Sequence, residues 1–94
     1  MIKLAEISKD TYTNISGEEL FLILKPYFDS NEPIEISFLD STPTSSSFLN
    51  SSFGELIEIY GLDKVKTLIK ITHVSGGEAQ ALKKYFSGFQ EMVN

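Results

Sequence analysis

A chain of 94 residues with 41% hydrophobic and 22% charged side chains has room for one domain, and this composition argues against both disorder and a membrane-spanning segment. It holds no cysteine, which excludes disulfides, thiolate metal sites and a cysteine nucleophile, so stability must come from packing. A net charge of −5, with every basic residue a lysine, argues against duplex nucleic acid as the main partner and leaves no guanidinium fork for phosphate.

No long apolar run follows the basic start of MIKLAEISKD, so the expected compartment is the cytosol. Met1 to Ser8 alternates Ile2, Leu4 and Glu6 against Met1, Lys3, Ala5 and Ile7, the pattern of a short strand with one face more buried. Lys9 to Ile15 mixes turn formers with Tyr12 and Ile15, and reads as a loop or as the return arm of a hairpin. Ser16-Gly-Glu-Glu19 has capping-box spacing with two acids where the helix dipole favours them, so a helix is expected from Ser16. Leu20, Ile23, Leu24 and Tyr27 form its stripe, with Phe21 and Phe28 beside it. Pro26 costs a helix interior about 3 kcal/mol, which predicts a kink or an end near Lys25. A strand through LFLILK is the competing reading.

Asp29 to Pro33 has turn chemistry. Ile34 to Asp40 reads as the second strand, with Ile34, Ile36 and Phe38 on one apolar face and Glu35, Ser37 and Leu39 on a mixed one. Ser41 to Ser47 holds Pro43 and otherwise only hydroxyl residues, as suits a loop. From Phe48, the spacing of Leu49, Phe53, Leu56, Ile57 and Tyr60 is that of a helix face, and Gly61 supplies a positive-φ stop. Leu62 to Thr67 is read as a connection. Leu68 to Val74 is a third strand, in which Ile69, Ile71 and His73 alternate with Lys70, Thr72 and Val74. Ser75-Gly-Gly-Glu78 repeats the capping-box spacing ahead of a terminal helix bearing Leu82, Tyr85, Phe86, Phe89 and Val93. This order predicts an α/β fold: a small single-layer sheet of three to four strands, at least partly parallel, with about three helices.

Three serines, Ser45 to Ser47, stand where hydroxyls meet the unpaired N–H groups of a helix start, which suits a cap or a phosphate site. The candidate partner surface is Asp40, Ser45, Ser46, Ser47, Phe48 and Glu55; Glu55, Glu58 and Asp63 make the outer face of the helix acidic, which reads first as solvated surface and second as a docking face for a basic partner. If the second and third strands are parallel, Asp40, the serines, His73, Ser75, Gly76 and Gly77 gather at their carboxyl ends, where open α/β sheets hold ligands. A small-molecule or anion site there is one alternative function; an acidic inhibitor that mimics phosphate charge is another. His73 with Asp40 supplies the elements of a base and its orienting group, yet no Gly-x-Ser-x-Gly elbow is present and no enzyme is expected. One histidine and dispersed carboxylates give no metal spacing, and neither a cofactor nor a membrane contact is expected. Phe48, Phe53, Tyr85, Phe86 and Phe89 suit a homodimer contact as readily as a monomer core.

The residues of Ile34 to Gly61, IEISFLD with its hydroxyl loop and then SSSFLNSSFGELIEIYG, resemble the STAS-like domain family of unknown function. The likeness extends more loosely from Ser16 to the C-terminus. That family is similar in layout to the bacterial STAS domains that act as anti-sigma factor antagonists. In their partner-switch members a serine at the start of the equivalent helix is phosphorylated by a kinase that is also the binding partner. The resemblance therefore implies a non-catalytic regulatory or protein-interaction domain, with a kinase-like or other regulatory protein bound through the loop and helix after the second strand. It implies phosphorylation at Ser46 first, then Ser45 and Ser47. The Asp-Ser-Ser-Gly signature of those members is absent: Thr44 and Ser45 precede Ser46, and Phe48 replaces a small residue.

Overall fold

Ile34 and Ile36 are buried because their strand is paired on both sides, and the whole architecture is laid around that strand. The computed structural model describes residues 1–7 and 10–93. In chain order it has β1 (Ile2–Lys3), α1 (Leu4–Ile7), α2 (Asn14–Asp29) and β2 (Ile34–Ser37). Next come α3 (Ser46–Leu49), a π-helical segment (Asn50–Gly54) and α4 (Glu55–Tyr60), which form one continuous rod. The chain then makes α5 (Leu62–Leu68), β3 (Ile69–Thr72) and α6 (Gly76–Val93). The sheet order is β1-β2-β3 with both pairs parallel, Ile36 lying opposite Ile2 on one side and Ile71 on the other. Parallel neighbours need crossovers, and α2 supplies the first, the rod with α5 the second. The fold is α/β, as the sequence predicts, with a fully parallel three-stranded sheet.

Its core joins Leu20, Leu24 and Phe28 of α2 to Phe48, Phe53 and Leu56 of the rod, with Val65, Leu68 and Leu82 closing one end. Phe48 and Phe53 are thereby used up inside the monomer, whereas Tyr85, Phe86 and Phe89 are half-buried, with Tyr85 meeting the other two rings edge to face. Where α2 crosses the rod, a Cβ at Gly17 would fall 2.6 Å from the Phe48 carbonyl oxygen and 2.8 Å from Ser51 Cβ. Farther along, the rings of Phe28 and Tyr60 lie 5.0 Å apart and the Tyr60 hydroxyl donates to Asp29 Oδ1 at 2.5 Å. The two helices therefore run side by side in the same direction. On another side of the rod, the Tyr85 hydroxyl donates to Asn50 Oδ1 at 2.8 Å, in a space that a Cβ on Gly54 would close.

Several expected boundaries move. The first strand is only two residues long, because Leu-Ala-Glu are good helix formers and a helical turn carries Leu4 into the core. Ser8 and Lys9 lie outside the described residues, as does the side chain of Val93; no hairpin arm forms among the described residues that follow. Helix α2 starts at Asn14, not Ser16: Thr13 is its cap and accepts the Ser16 N–H, while Asp10 Oδ1 accepts the N–H groups of Tyr12 and Thr13. Pro26 does not end it, and the helix runs on to Asp29. The proline and Leu22, whose carbonyl it frees, are both exposed, which leaves that carbonyl on the solvent side of the helix. Burial of Phe28, at about 1.5–3 kcal/mol, then offsets the proline. Ile23 leaves the expected stripe for the surface, and Ser16 and Gly17 take the seam against the rod.

The second strand stops at Ser37, with one more bond from the Phe38 N–H to the Thr72 carbonyl. The rod begins at Ser46, two residues before Phe48. Leu62–Leu68 is a helix rather than a connection: Leu62, Val65 and Leu68 recur every three residues, lysines hide the pattern, and Thr67 Oγ1 donates back to the Asp63 carbonyl. β3 is correspondingly shorter than expected. Gly61 has φ 96° and ψ 151°, a conformation open only to glycine, and it turns α4 directly into α5.

Two outcomes follow from this packing. Gly17→Ala forces the crossing helices apart and is expected to cost about 1–3 kcal/mol by urea unfolding, whereas Gly88→Ala, with open space around it, is expected to gain up to about 1 kcal/mol of helix propensity. Burial, with Glu58 adding repulsion, pushes the Tyr85 phenol up to about 12. Stability from this group is therefore intact below the ordinary phenol value near 10 and is lost as pH rises toward the folded value. Tyr85→Phe is expected to be less stable at pH 8 and to show a flatter decline between pH 9 and 11, read from urea midpoints across that range.

Candidate functional site

The loop after β2 is held from two directions. On one side Thr11, itself buried, places Oγ1 2.6 Å from Thr42 Oγ1 and 2.9 Å from the Pro43 carbonyl. On the other, Thr44 donates through both its N–H and its hydroxyl to Glu78 Oε1. The segment before α2 and the first turn of α6 thus clamp the loop and aim its end into the rod.

Ser45 completes that junction. Its backbone is extended, its Oγ accepts the Phe48 N–H at 3.2 Å, and the same hydroxyl donates to the Tyr12 carbonyl at 2.6 Å. Ser45 is the N-cap. Ser46 and Ser47, in the first helical turn, are exposed, and among the described residues neither side chain is hydrogen-bonded. The three serines are therefore not equivalent: one is structural and two are available. Phe48, placed by sequence on the partner surface, is fully buried in the core, so it supports the site from beneath and offers no docking area.

At the carboxyl ends of β2 and β3 lies a cavity of about 260 Å³, lined by Asp40, Ser41, Thr42, His73, Ser75 and Glu78 together with Phe38. The structure does bring Asp40, His73 and Ser75 together there. Gly76 and Gly77 stand beside it in the first turn of α6. Asp40 and His73 have φ of 61° and 54°, left-handed values that cost a histidine more than an aspartate. His73 Nδ1 lies 3.1 Å from Ser37 Oγ, which also accepts the Leu39 N–H. Ser37 is buried, so its hydroxyl proton needs an acceptor; donated to Nδ1, it fixes the imidazole as the Nε2–H tautomer. Among the described residues no hydrogen bond joins Asp40 to His73. The serine that does meet the histidine has no access to a substrate.

Ser75 caps α6 by accepting the Glu78 N–H at 3.2 Å, but the Glu78 carboxylate crosses to Thr44 instead of returning to Ser75. Only half of the expected capping box forms. An anion in the cavity would meet the carboxylates of Asp40 and Glu78 and no lining lysine, which weighs against an anion site. Glu55 is elsewhere, exposed on α4 in a separate hollow with Glu18, Phe21 and Leu22. Thr11, Thr44 and Glu78 are the residues that sequence reasoning missed; their bonds span more than thirty positions, and no local pattern announces them. The Asp10 carboxylate is held below the usual range chiefly by the Thr13 N–H, which organises the same corner.

The sequence model of a family described as a STAS-like domain of unknown function matches residues 16–78. The chain belongs to that family. The matched part of the STAS-like domain runs from the buried serine of α2 to the glutamate that holds Thr44, so it contains the whole loop and the rod but omits Thr11 and most of α6. No curated protein and no solved structure matches the chain. No helix among the described residues of the STAS-like domain is long and apolar enough to cross a membrane.

Ser45→Ala is expected to cost the STAS-like domain about 1 kcal/mol through the lost cap. Ser46→Ala and Ser47→Ala are expected to stay within about 0.5 kcal/mol of the parent by the same urea unfolding.

Proposed function

We propose that this STAS-like domain is a non-catalytic regulatory module that binds a protein partner, kinase-like or otherwise regulatory, through the loop after β2 and the first turn of the rod. Phosphorylation of Ser46 is its switch, and the cytoplasm is its place of action. The observation that carries this reading is the division of labour among the serines. Ser45 satisfies the helix end and ties it to Tyr12, which leaves Ser46 exposed at the positive end of a long rod with no structural duty. A phosphate there adds about −1.5 to −2 charges where helix N–H groups favour an anion, and it changes the shape and sign of the docking surface.

The clamps on either side support a binding role. Thr11 and Glu78 hold the loop in one conformation, so a partner would meet a preformed surface and lose little affinity to ordering it. A non-catalytic reading is favoured by the burial of Ser37 behind His73, since the hydroxyl paired with the imidazole is not a nucleophile that substrate can reach.

Affinity purification from the native cell, with the parent chain, Ser46→Ala and Ser46→Asp as baits, tests this. A stoichiometric protein is expected on the first two baits and at least tenfold less of it on the third, together with a phosphate on the peptide that carries Ser45 to Ser47 under some growth condition. Equal recovery on all three baits, with that peptide never modified, overturns the reading.

A further inference from the structure

Helix α2 and the rod lie side by side, with Gly17 against Phe48 and Ser51 near their starts and Asp29 against Tyr60 at their ends. Their inner faces enter the core, and their outer faces leave a furrow. In it sits a hollow of about 310 Å³ whose lining is Phe21 and Leu22 from α2 with Glu18 and Glu55 as carboxylates. Leu22 is 64% exposed although it stands mid-helix in a chain with ample polar residues. Ile59, one turn beyond Glu55 on the same face of α4, is 55% exposed, and Ile15, two turns before Leu22, is 66% exposed. Among the described residues, four of the seven large apolar side chains left in solvent belong to these two helices, once Ile23 is counted.

Charge says what fits. Among the described residues neither Glu18 nor Glu55 has an ion pair or a side-chain hydrogen bond, and Lys25, the lysine of α2, is already held by Asp29 at 2.9 Å. The apolar floor therefore lies between unneutralised carboxylates in a chain of net charge −5. No strand edge is offered here, only the cleft between two parallel helices, and the element that packs into such a cleft by ridges and grooves is a third helix.

We propose that this furrow is a docking groove for an amphipathic helix of the partner, one that carries lysines or arginines beside its apolar stripe. The proposal rests on reading the domain as a protein-interaction module and names the chemistry of what it binds. The partner's apolar residues cover Phe21, Leu22 and Ile59, and its cations meet Glu18 and Glu55, which sets orientation and association rate more than affinity. Glu55, the rod's own carboxylate in the groove, lies nine residues from Ser46, about 13 Å at 1.5 Å per residue and beyond the screening length at physiological salt, whereas Glu18 stands nearer the start of the rod. A charge at Ser46 therefore acts chiefly on the loop surface and little on the Leu22–Ile59 part of the groove.

The test is a titration of the isotope-labelled chain, followed by amide chemical shifts, with three synthetic peptides of about four helical turns: an amphipathic leucine–lysine helix, its scrambled isomer, and the same helix with glutamate for lysine. Saturable shifts centred on Glu18, Leu22, Glu55 and Ile59 are expected with the first peptide alone. Leu22→Ser, whose spectrum should otherwise match the parent, is expected to weaken binding at least tenfold, the Glu18→Gln, Glu55→Gln double variant severalfold, and Ser46→Asp less than twofold. Comparable binding of the scrambled or acidic peptide, or shifts centred elsewhere, overturns the groove. So does a dimer in sedimentation that Leu22→Ser dissolves, since a second copy would then be the occupant. If the lysine peptide fails while capture of a native protein still depends on Ser46, the groove falls and the interaction module stands.

Discussion

The contact that the rest of the molecule depends on is the approach of α2 to the rod at Gly17, close enough that backbone meets backbone. Only a residue without a side chain leaves room for the Phe48 carbonyl, and Ser16, Ser51 and Ser52 keep the rest of the seam small. The Ser52 hydroxyl, fully buried, donates back to that same carbonyl at 2.8 Å, so the carbonyl at the close approach is itself hydrogen-bonded. With the helices this near, Phe48 and Phe53 are driven inward to meet Leu20, Leu24 and Phe28. The start of the rod then arrives beside the start of α2. From there Thr11 and Tyr12 can reach the loop, and the corner that holds the candidate site is assembled as a result of the seam.

Hydroxyl groups do at this corner what charged pairs do elsewhere. Thr11, Thr13, Thr44 and Ser45 each satisfy backbone groups or a carboxylate that a turn or a helix end would leave open. Such bonds are short-ranged and little screened, so they fix geometry without adding field. The two ion pairs among the described residues, Lys3–Glu6 and Lys25–Asp29, are exposed and add little stability. Order in the loop comes from saturation of polar groups, and the surface charge is left available for recognition.

The parts of the fold that announce themselves in sequence are those whose pattern is local. The alternation of Ile34, Ile36 and Phe38, the helical spacing from Leu49 to Tyr60, and Gly61 at the end of the rod all survive in the structure. What fails is competition between local signals. Asp10 and Thr13 outbid Ser16 as the cap of α2, because Asp10 first organises the Thr13 N–H that precedes the helix. Glu78 abandons its own helix end for Thr44, a partner no spacing rule could nominate. Helix α5 was hidden because seven residues with interleaved lysines hold too few apolar positions to display a period. For the candidate site the same division holds: the serines and the strand-end cluster of Asp40, His73 and Ser75 were legible, while the inward turn of Phe48 and the separation of Glu55 from the cavity depended on how the rod rolls against α2.

That roll also decides how charge is distributed. A helix with one face fixed in the core by Phe53 and Leu56 must send Glu55 and Ile59 outward together, and α2, fixed by Leu20 and Leu24, must do the same with Glu18 and Leu22. Acidic and apolar residues are interleaved on the outer surface of the pair as a geometric consequence of the buried stripe. Lys83 and Lys84 sit on α6, and Lys64 is drawn over the Tyr60 ring at 5.3 Å. The net charge of −5 is thus not spread evenly: the strand-end cavity carries Asp40 and Glu78, and the furrow carries Glu18 and Glu55. A phosphate-bearing ligand would meet carboxylates at both places. On the same surface the phosphate proposed at Ser46 would be local in effect, since an anion at the helix start is stabilised by the rod's own N–H groups before it can repel the carboxylates farther along.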